Sequence, residues 1–364
     1  LLAQRGRFQR IILADREQAR VQQRAAELGA EAVVIDVTDT DALVALMRRT
    51  KVVLNATGPF SQYGLPAVQA AITAGVHYAD VNDEVEPIQE VFGTDAMDQA
   101  ARVAGMTAVV GLGISPGFTN ILARYGAQQM DTVTAVHMAL TTGPWTRGMA
   151  VWAHRIHVNS GLATIYRDGT WQHVPAMSEV EEIGFPWPPG RAQVHIVAHP
   201  EPITLPRSFP DIREVVTKLG YPESVNTLLR DCARYGLTAE EGILLYGTAV
   251  SPATFLAAYL ASEQADQYFG FSTMTPYSSR QVQITGIRDG RDLTLRYQVA
   301  LPGGAGDTAL PLVIAGELLA EGGITEPGVC APEALDPAPF LTGLASIGAH
   351  IRVIREEEPA NFGS

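Results

Sequence analysis

KVVLNATGPFSQYGLPAVQAAITAGVHYADVNDE, residues 51–84, decides the fold. It opens with an apolar run, Val52, Val53 and Leu54, and passes through a turn of small and rigid residues from Asn55 to Pro59. Apolar spacing then predicts a helix over 64–75, and a second short run ends at Asp80. Strand, loop, helix and strand in that order predict a parallel α/β unit. Ligands of such sheets bind outside the carboxyl ends of the strands, so the loop 55–63 and the segment 77–84 are expected to open on one crevice.

The pattern repeats on both sides. Upstream, RIILADRE reads as a strand with Asp15 at its carboxyl end, followed by a helix to Leu28 that Gly29 closes. EAVVIDVTD then gives a strand ending near Asp36 and Val37, and DALVALMRRT a helix that Asp39 or Thr40 caps. Downstream, one helix is expected over 86–104 and a strand in MTAVVGLG. Near-continuous apolar strands alternating with helices predict a Rossmann-type doubly wound parallel sheet. Its usual first strand and glycine-rich loop are absent from the given sequence, which has no G-x-G-x-x-G in the right place. The expectation is that roughly 20 further residues precede Leu1, on ordinary element lengths. The alternative is a rearranged sheet.

After Gly126 the texture changes to alternating polar and apolar residues, with hairpin turns expected at Asp168-Gly169 and Asp289-Gly290. A proline-rich connector (185–190) and a helical block over 212–267 complete a second, α+β domain. The expected limits are 1–120 for a dinucleotide-binding domain and 121–305 for a substrate-binding and dimerisation domain, with 306–364 returning to the first.

A chain of 364 residues, 46% hydrophobic and 18% charged, has length for two globular domains. The net charge of −13 argues against nucleic acid or an anionic membrane as partner. Cys232 and Cys330 match no disulfide or metal spacing and read as thiols of a reducing compartment. No apolar run approaches the ~20 residues that span a bilayer. The expectation is a soluble cytoplasmic enzyme with a small-molecule substrate.

Asp15 is where such a fold accepts the adenosine ribose hydroxyls and repels a 2′-phosphate, which favours NAD, while the neighbouring Arg16 leaves NADP possible. Asp36 and Val37 are expected beside the adenine. Asn55, Ala56, Thr57, Gly58 and Pro59 let a nicotinamide approach the backbone closely. His77 and Asp80 are the candidate bases, with Tyr78 on the same strand face as Asp80. Ser115 to Asn120 joins the domains and opens a helix at Thr119 suited to an anion. Arg147, Arg155 and Arg167 could hold a substrate carboxylate. The pairs His154/His157 and His195/His199 lack any metal-site pattern, and no metal is expected. No G-x-S-x-G or Walker sequence supports hydrolase or kinase chemistry.

VVLNATGPFSQYGLPAVQAAITAGVHYADVNDE, GLGISPGFTNILA and GVCAPEALDPAPFL resemble the saccharopine dehydrogenase-like oxidoreductases, and YRDGTWQHVPAMSEVEEIGFP resembles the lysine 6-dehydrogenase branch. The resemblance implies an NAD(P)-dependent amino-acid dehydrogenase acting on a CH–NH group, working as a homodimer. It implies Asn55 to Pro59 on the nicotinamide side, Tyr63 at the mouth, and Tyr78, Asp80, Ser115 and Gly117 in the substrate pocket. The expected reaction is oxidative deamination of L-lysine at its side-chain amine. Saccharopine or another opine-type secondary amine is the alternative substrate, and a non-catalytic nucleotide-binding relative or a quinone or lipid reductase the alternative function.

Overall fold

The computed structural model describes residues 1–143, 148–269, 277–303 and 305–357. The chain forms two compact units, one made of residues 1–117 with 308–332, the other of 118–307 with the residues from 333 on.

The first unit is built on five short strands from its N-terminal part: β1 (Ile12–Asp15), β2 (Glu31–Val34), β3 (Val52–Asn55), β4 (His77–Asp80) and β5 (Thr107–Val109). All pair in parallel, and Gly328–Cys330 adds a further parallel strand beside β5. The result is a Rossmann-type α/β arrangement. The strands fall into two sheets, β1–β2 and a four-stranded sheet running from β3 through β4 and β5 to Gly328–Cys330. In the doubly wound order the strand bearing the glycine-rich turn stands between β1 and β3, and it is there that the parallel strands separate.

Helices Gln18–Leu28, Thr40–Met47 and Phe60–Ala74 connect the strands. Asp39 is the cap of the second, accepting from Ala42 N–H at 3.0 Å. Gly29 adopts the left-handed conformation, φ 64°, that ends the first helix and turns the chain into β2. The single helix expected over 86–104 is instead two, Val85–Phe92 and Ala96–Ala104, because Gly93 gives the chain a weak point where it breaks. Ile88 of the first of these, Val68 of the helix Phe60–Ala74 and Ala108 and Val109 of β5 are fully buried. A side chain the size of Ile88 contributes roughly 2–3 kcal/mol by this burial.

The second unit centres on one mixed sheet. Its strands are β6 (Thr132–Gly143), β7 (Leu162–Arg167), β8 (Thr170–Pro175), β9 (Glu181–Gly184), β10 (Arg191–Ile196), β11 (Glu214–Gly220), then a separate hairpin β12 (Ile243–Leu245) and β13 (Thr248–Val250), and the long pair β14 (Tyr277–Arg288) and β15 (Arg291–Leu301). The path runs β15-β14-β6-β11-β10-β9, with β7 attached to β11, β8 to β7, and His350–Glu357 pairing with β15. Of the stretch 306–364, then, residues 308–332 belong to the first unit while His350–Glu357 extends this sheet.

Asp168-Gly169 and Asp289-Gly290 make the two expected turns, all four residues having positive φ. The helical block expected over 212–267 is corrected: β11 lies within it, in parallel register with β6. The β-branched run Val215, Val216 and Thr217 fits the half-packed surface of a strand better than a helix. A cluster of Leu140, Trp152, Ile156, Leu219, Val225 and Leu256 forms the core beneath the sheet.

Candidate active site

The first unit gathers its polar residues at one edge, and Asp80 is the knot. As the last residue of β4 it follows Tyr78 and Ala79 out of the core and is itself fully buried. Its Oδ1 accepts from the backbone N–H of Gly111 at 2.7 Å and of Asn82 at 3.1 Å. Its Oδ2 accepts from the Tyr78 hydroxyl at 2.9 Å, and that hydroxyl accepts from Asn55 Nδ2 at 2.9 Å. One carboxylate thus ties together the loops that follow β3, β4 and β5.

Among the described residues no cation partners Asp80. Burial pushes its carboxyl up to about 6, against the lowering effect of the hydrogen bonds from Gly111, Asn82 and Tyr78. Burial and the neighbouring Asp80 charge push the Tyr78 phenol up, so it stays protonated and donates.

Each loop is held further. Thr57 N–H donates to Asn55 Oδ1 at 2.9 Å, shaping the turn into 56–59, where Ala56, Gly58 and Pro59 are exposed. The carboxylate of Glu84 accepts from Phe60 N–H at 3.2 Å and Ser61 N–H at 2.5 Å, filling the amino end of the helix Phe60–Ala74. Asn82 Oδ1 in turn accepts from Glu84 N–H at 3.0 Å. In the third loop, Gly113 N–H donates to Pro116 O at 3.0 Å, and Gly117, φ 124°, lies so close that a Cβ there would stand 2.1 Å from Gly113 O. Only glycine fits.

The structure therefore brings Asn55, Tyr78 and Asp80 into one network, with Gly117 and the half-buried Ser115 on the loop that Gly111 anchors. It adds Asn82, Glu84 and Gly111, which sequence reasoning did not single out. Half-buried Tyr63 lies in the first turn of the helix Phe60–Ala74. His77 stands apart, at the opposite end of β4 from Asp80. Its Nδ1 accepts from Thr107 N–H at 3.1 Å, and burial lowers its pKa, which keeps the ring neutral.

Asp15 closes β1 with a different environment: its carboxylate accepts from Glu17 N–H and from Arg20 Nη2, both at 3.0 Å, and these partners lower its pKa. Arg16 is exposed beside it, as is Asp36, which accepts from Thr38, while Val37 is half-buried. An acceptor at the end of β1 and open backbone at Gly58, where an added Cβ would meet nothing within 4 Å, fit a dinucleotide.

In the second unit, Arg155 is buried between Trp152 and Tyr221, its guanidinium 4.9 and 5.7 Å from their ring centres. Arg147 lies outside the described residues. Arg167 spends its guanidinium on Glu179 and Glu214. Of the histidines, His195 Nε2–H donates to Asn159 Oδ1 at 2.7 Å, and burial pushes its pKa down to about 4, so it is neutral. His199 Nδ1 lies 2.7 Å from Glu201 Oε2, and Thr217 also donates to Glu201. Asn120 Nδ2 donates to the buried Glu333 at 2.9 Å.

Another arginine was not anticipated. Arg280 of β14 is buried, its Nη1 donating to Thr141 O at 2.8 Å and to Ser279 O at 3.0 Å.

A Rossmann-type nucleotide-binding unit with a polar site at its carboxyl edge, followed by a mixed-sheet unit, defines a two-domain nucleotide-dependent oxidoreductase. The chain belongs to the saccharopine dehydrogenase family: residues 1–109 match the saccharopine dehydrogenase NADP binding domain and 113–349 the saccharopine dehydrogenase C-terminal domain. It is an NAD(P)-dependent oxidoreductase of that family.

Carboxyaminopropylagmatine dehydrogenase of Synechocystis sp. is 24% identical over 94% of this chain and 90% of its own length. Carboxynorspermidine synthase of Vibrio alginolyticus is 24% identical over 97% and 90%. In fold, the L-Glu-forming saccharopine dehydrogenase of Saccharomyces cerevisiae superposes with a TM-score of 0.69 at 14% identity, covering 95% of this chain and 94% of its own. The homospermidine synthase of Legionella pneumophila, solved with NAD, gives 0.60 at 10%, covering 97% and 87%. Among the described residues no helix is long and apolar enough to cross a membrane.

Proposed function

We propose that this chain interconverts an imine and a secondary amine that joins a carboxylate-bearing carbon chain to a polyamine-like amine, using NAD(P) as the hydride carrier. One observation carries this reading: the carboxyaminopropylagmatine and carboxynorspermidine enzymes match along some nine-tenths of both chains. Their names denote carboxylated polyamines, and they move the proposal from the lysine side-chain amine to the secondary amine that was its alternative.

A bound nicotinamide gives or takes the hydride at the carbon of the C–N bond. The chain's own part is to hold and orient. Asp15 accepts from the adenosine ribose, Asn55 to Pro59 line the nicotinamide side, and Ser115 and Gly117 face the substrate. Asp80, fixing three loops at once, supplies the alignment of reacting carbons on which such a transfer depends. Reduction also delivers a proton to nitrogen, and oxidation requires the amine to be neutral. With its carboxyl raised to about 6, Asp80 is the group we assign to that exchange, through Tyr78.

We also take the protein to act in the cytoplasm as a homodimer. The hairpin β12–β13 supports the second point: two strands alone are marginal, and Leu244, Leu245 and Tyr246 at its end are exposed, as apolar side chains awaiting a second copy would be.

The experiment is to follow NADH and NADPH by absorbance with pairs of a polyamine and a carboxylated aldehyde, and in reverse with lysine and NAD. Nucleotide consumption that needs both an amine and a carboxylated aldehyde is expected. Turnover of lysine alone would replace the substrate, and no turnover with any pair would sink the reading. Sedimentation of the same preparation reports the subunit number.

A further inference from the structure

Among the described residues of the second unit, three hairpins close through a two-residue turn in which both residues have positive φ. Two of these turns are Asp168-Gly169 and Asp289-Gly290. The third is Tyr246-Gly247, with tyrosine at φ 50° between the paired residues Leu245 and Thr248. Asn, Asp and Gly reach this conformation readily, whereas a bulky side chain is strained in it. Nothing in the fold offsets that strain, because the Tyr246 side chain is completely exposed. A strained residue that its own chain does not use points to a contact made elsewhere.

The rest of the hairpin agrees. Ile243, Leu244 and Leu245 are all exposed, Leu244 at 80%, although strand alternation sends them to opposite faces, so both faces of β12 stand in solvent. At the base, Ala253 N–H and the Ser251 hydroxyl donate to Ala239 O at 3.1 and 3.2 Å. These bonds tie the hairpin to the segment carrying exposed Tyr235 and to the helix Pro252–Leu260 carrying exposed Phe255. Together the six side chains present on the order of 800 Å², taking about 150–250 Å² for a whole aromatic one. That is above the roughly 300–600 Å² of a typical monomer's largest apolar patch, and about one side of a standard protein interface.

We propose that the β12–β13 hairpin is an arm that grips a second copy of this chain, with Tyr246 as its anchor. The choice of partner rests on the homodimer reading above and deepens it; the anchor rests on the turn. The chain carries both a projecting tip and, at its base, apolar surface at Tyr235 and Phe255, so two copies about a two-fold axis each supply what the other needs. Glu240 and Glu241 are exposed beside the arm, in a chain of net charge −13, which turns away an anionic lipid surface that would otherwise take an apolar tip. Tyrosine is also among the residue types that dominate the energetics of protein interfaces.

The test is sedimentation equilibrium of the full chain over a range of concentrations, wild type against Tyr246→Asn and Tyr246→Phe, with circular dichroism spectra as the fold control. Asparagine suits the turn, so Tyr246→Asn is expected to keep the hairpin and to weaken association roughly 30- to 100-fold. Tyr246→Phe keeps the ring and should stay within about threefold of wild type. If Tyr246→Asn fails to fold, Phe255→Ser, which lies outside the turn, decides, with an expected loss of roughly tenfold. Unchanged association in a folded Tyr246→Asn overturns the arm and leaves the homodimer reading standing. A wild type that is monomeric at micromolar concentration defeats both, and one that instead floats with phosphatidylcholine vesicles assigns the tip to a lipid surface.

Discussion

Asp15 and Asp80 occupy the same place in the same kind of element: each is the last residue of a four-residue parallel strand. Their chemistry is opposite. β4 lies between β3 and β5, so its end emerges among three loops and Asp80 is enclosed; Asp15 ends β1 half-exposed, with Glu17 N–H and Arg20 at hand. Burial without a cation raises one carboxyl, and hydrogen bonds with a cation lower the other. Strand position decides what an aspartate can touch, and the neighbours of the strand decide what it can do.

The comparison breaks most readily at Asp80. Asp80→Ala leaves the N–H groups of Gly111 and Asn82 and the Tyr78 hydroxyl without their acceptor, all in the interior. The expected loss is about 3–5 kcal/mol in urea unfolding at neutral pH. A loss below about 1 kcal/mol would mean that the three loops hold one another without it.

Titration sharpens the contrast. Asp80 binds its proton more tightly folded than unfolded, so between about pH 4 and pH 6 the native state carries more protons and stability falls as pH rises. From an ordinary value near 3.8 to about 6, the linkage is worth up to roughly 3 kcal/mol. Asp15 has the reverse sign: its contribution is present above its ordinary value and lost as the pH drops through its lowered one. Unfolding followed from pH 4 to 7 should show the Asp80 slope in wild type and its absence in Asp80→Asn. A variant with the wild-type slope would assign the proton elsewhere.

Glu84 comes next. Its carboxylate fills the start of the helix Phe60–Ala74, accepting from Phe60 and Ser61, so Glu84→Ala is expected to cost about 1–2 kcal/mol. Because that helix follows the loop 56–59, cofactor affinity should weaken together with stability. Weakened affinity at unchanged stability would instead put Glu84 in contact with the cofactor.

Much of this was legible beforehand. The apolar runs ending at Asn55 and Asp80 are short, dense and separated by a helix-length pattern, which leaves little choice but parallel strands, and Asp-Gly at 168 and 289 admits little except a hairpin turn. Residues 214–220 were not legible as a strand, since EVVTKLG holds only short apolar pieces interrupted by Thr217 and Lys218, and pieces that short fit a helix and a strand alike. Nor could the sequence distinguish the two aspartates, because enclosure depends on which strands become neighbours. Arg280 left a signal that went unused: with Val282 and Ile284 it keeps the alternation of the buried face, which places its side chain in the interior.

The smallest effect on stability is expected at Asp15. Asp15→Asn keeps an oxygen for Glu17 N–H and loses only the ion pair with Arg20, an exposed partner, so unfolding should shift by less than about 1 kcal/mol. The same change removes the negative charge that would repel a 2′-phosphate, with Arg16 left beside it. The ratio of kcat/KM for NAD over NADP should therefore fall by roughly tenfold, about 1.4 kcal/mol at the nucleotide for almost none in the fold. An unchanged ratio would take Asp15 out of nucleotide recognition and leave it as the end of a strand. A large stability loss would show instead that the ion pair at this edge holds β1 in place, and the two aspartates would then differ in chemistry but not in structural weight.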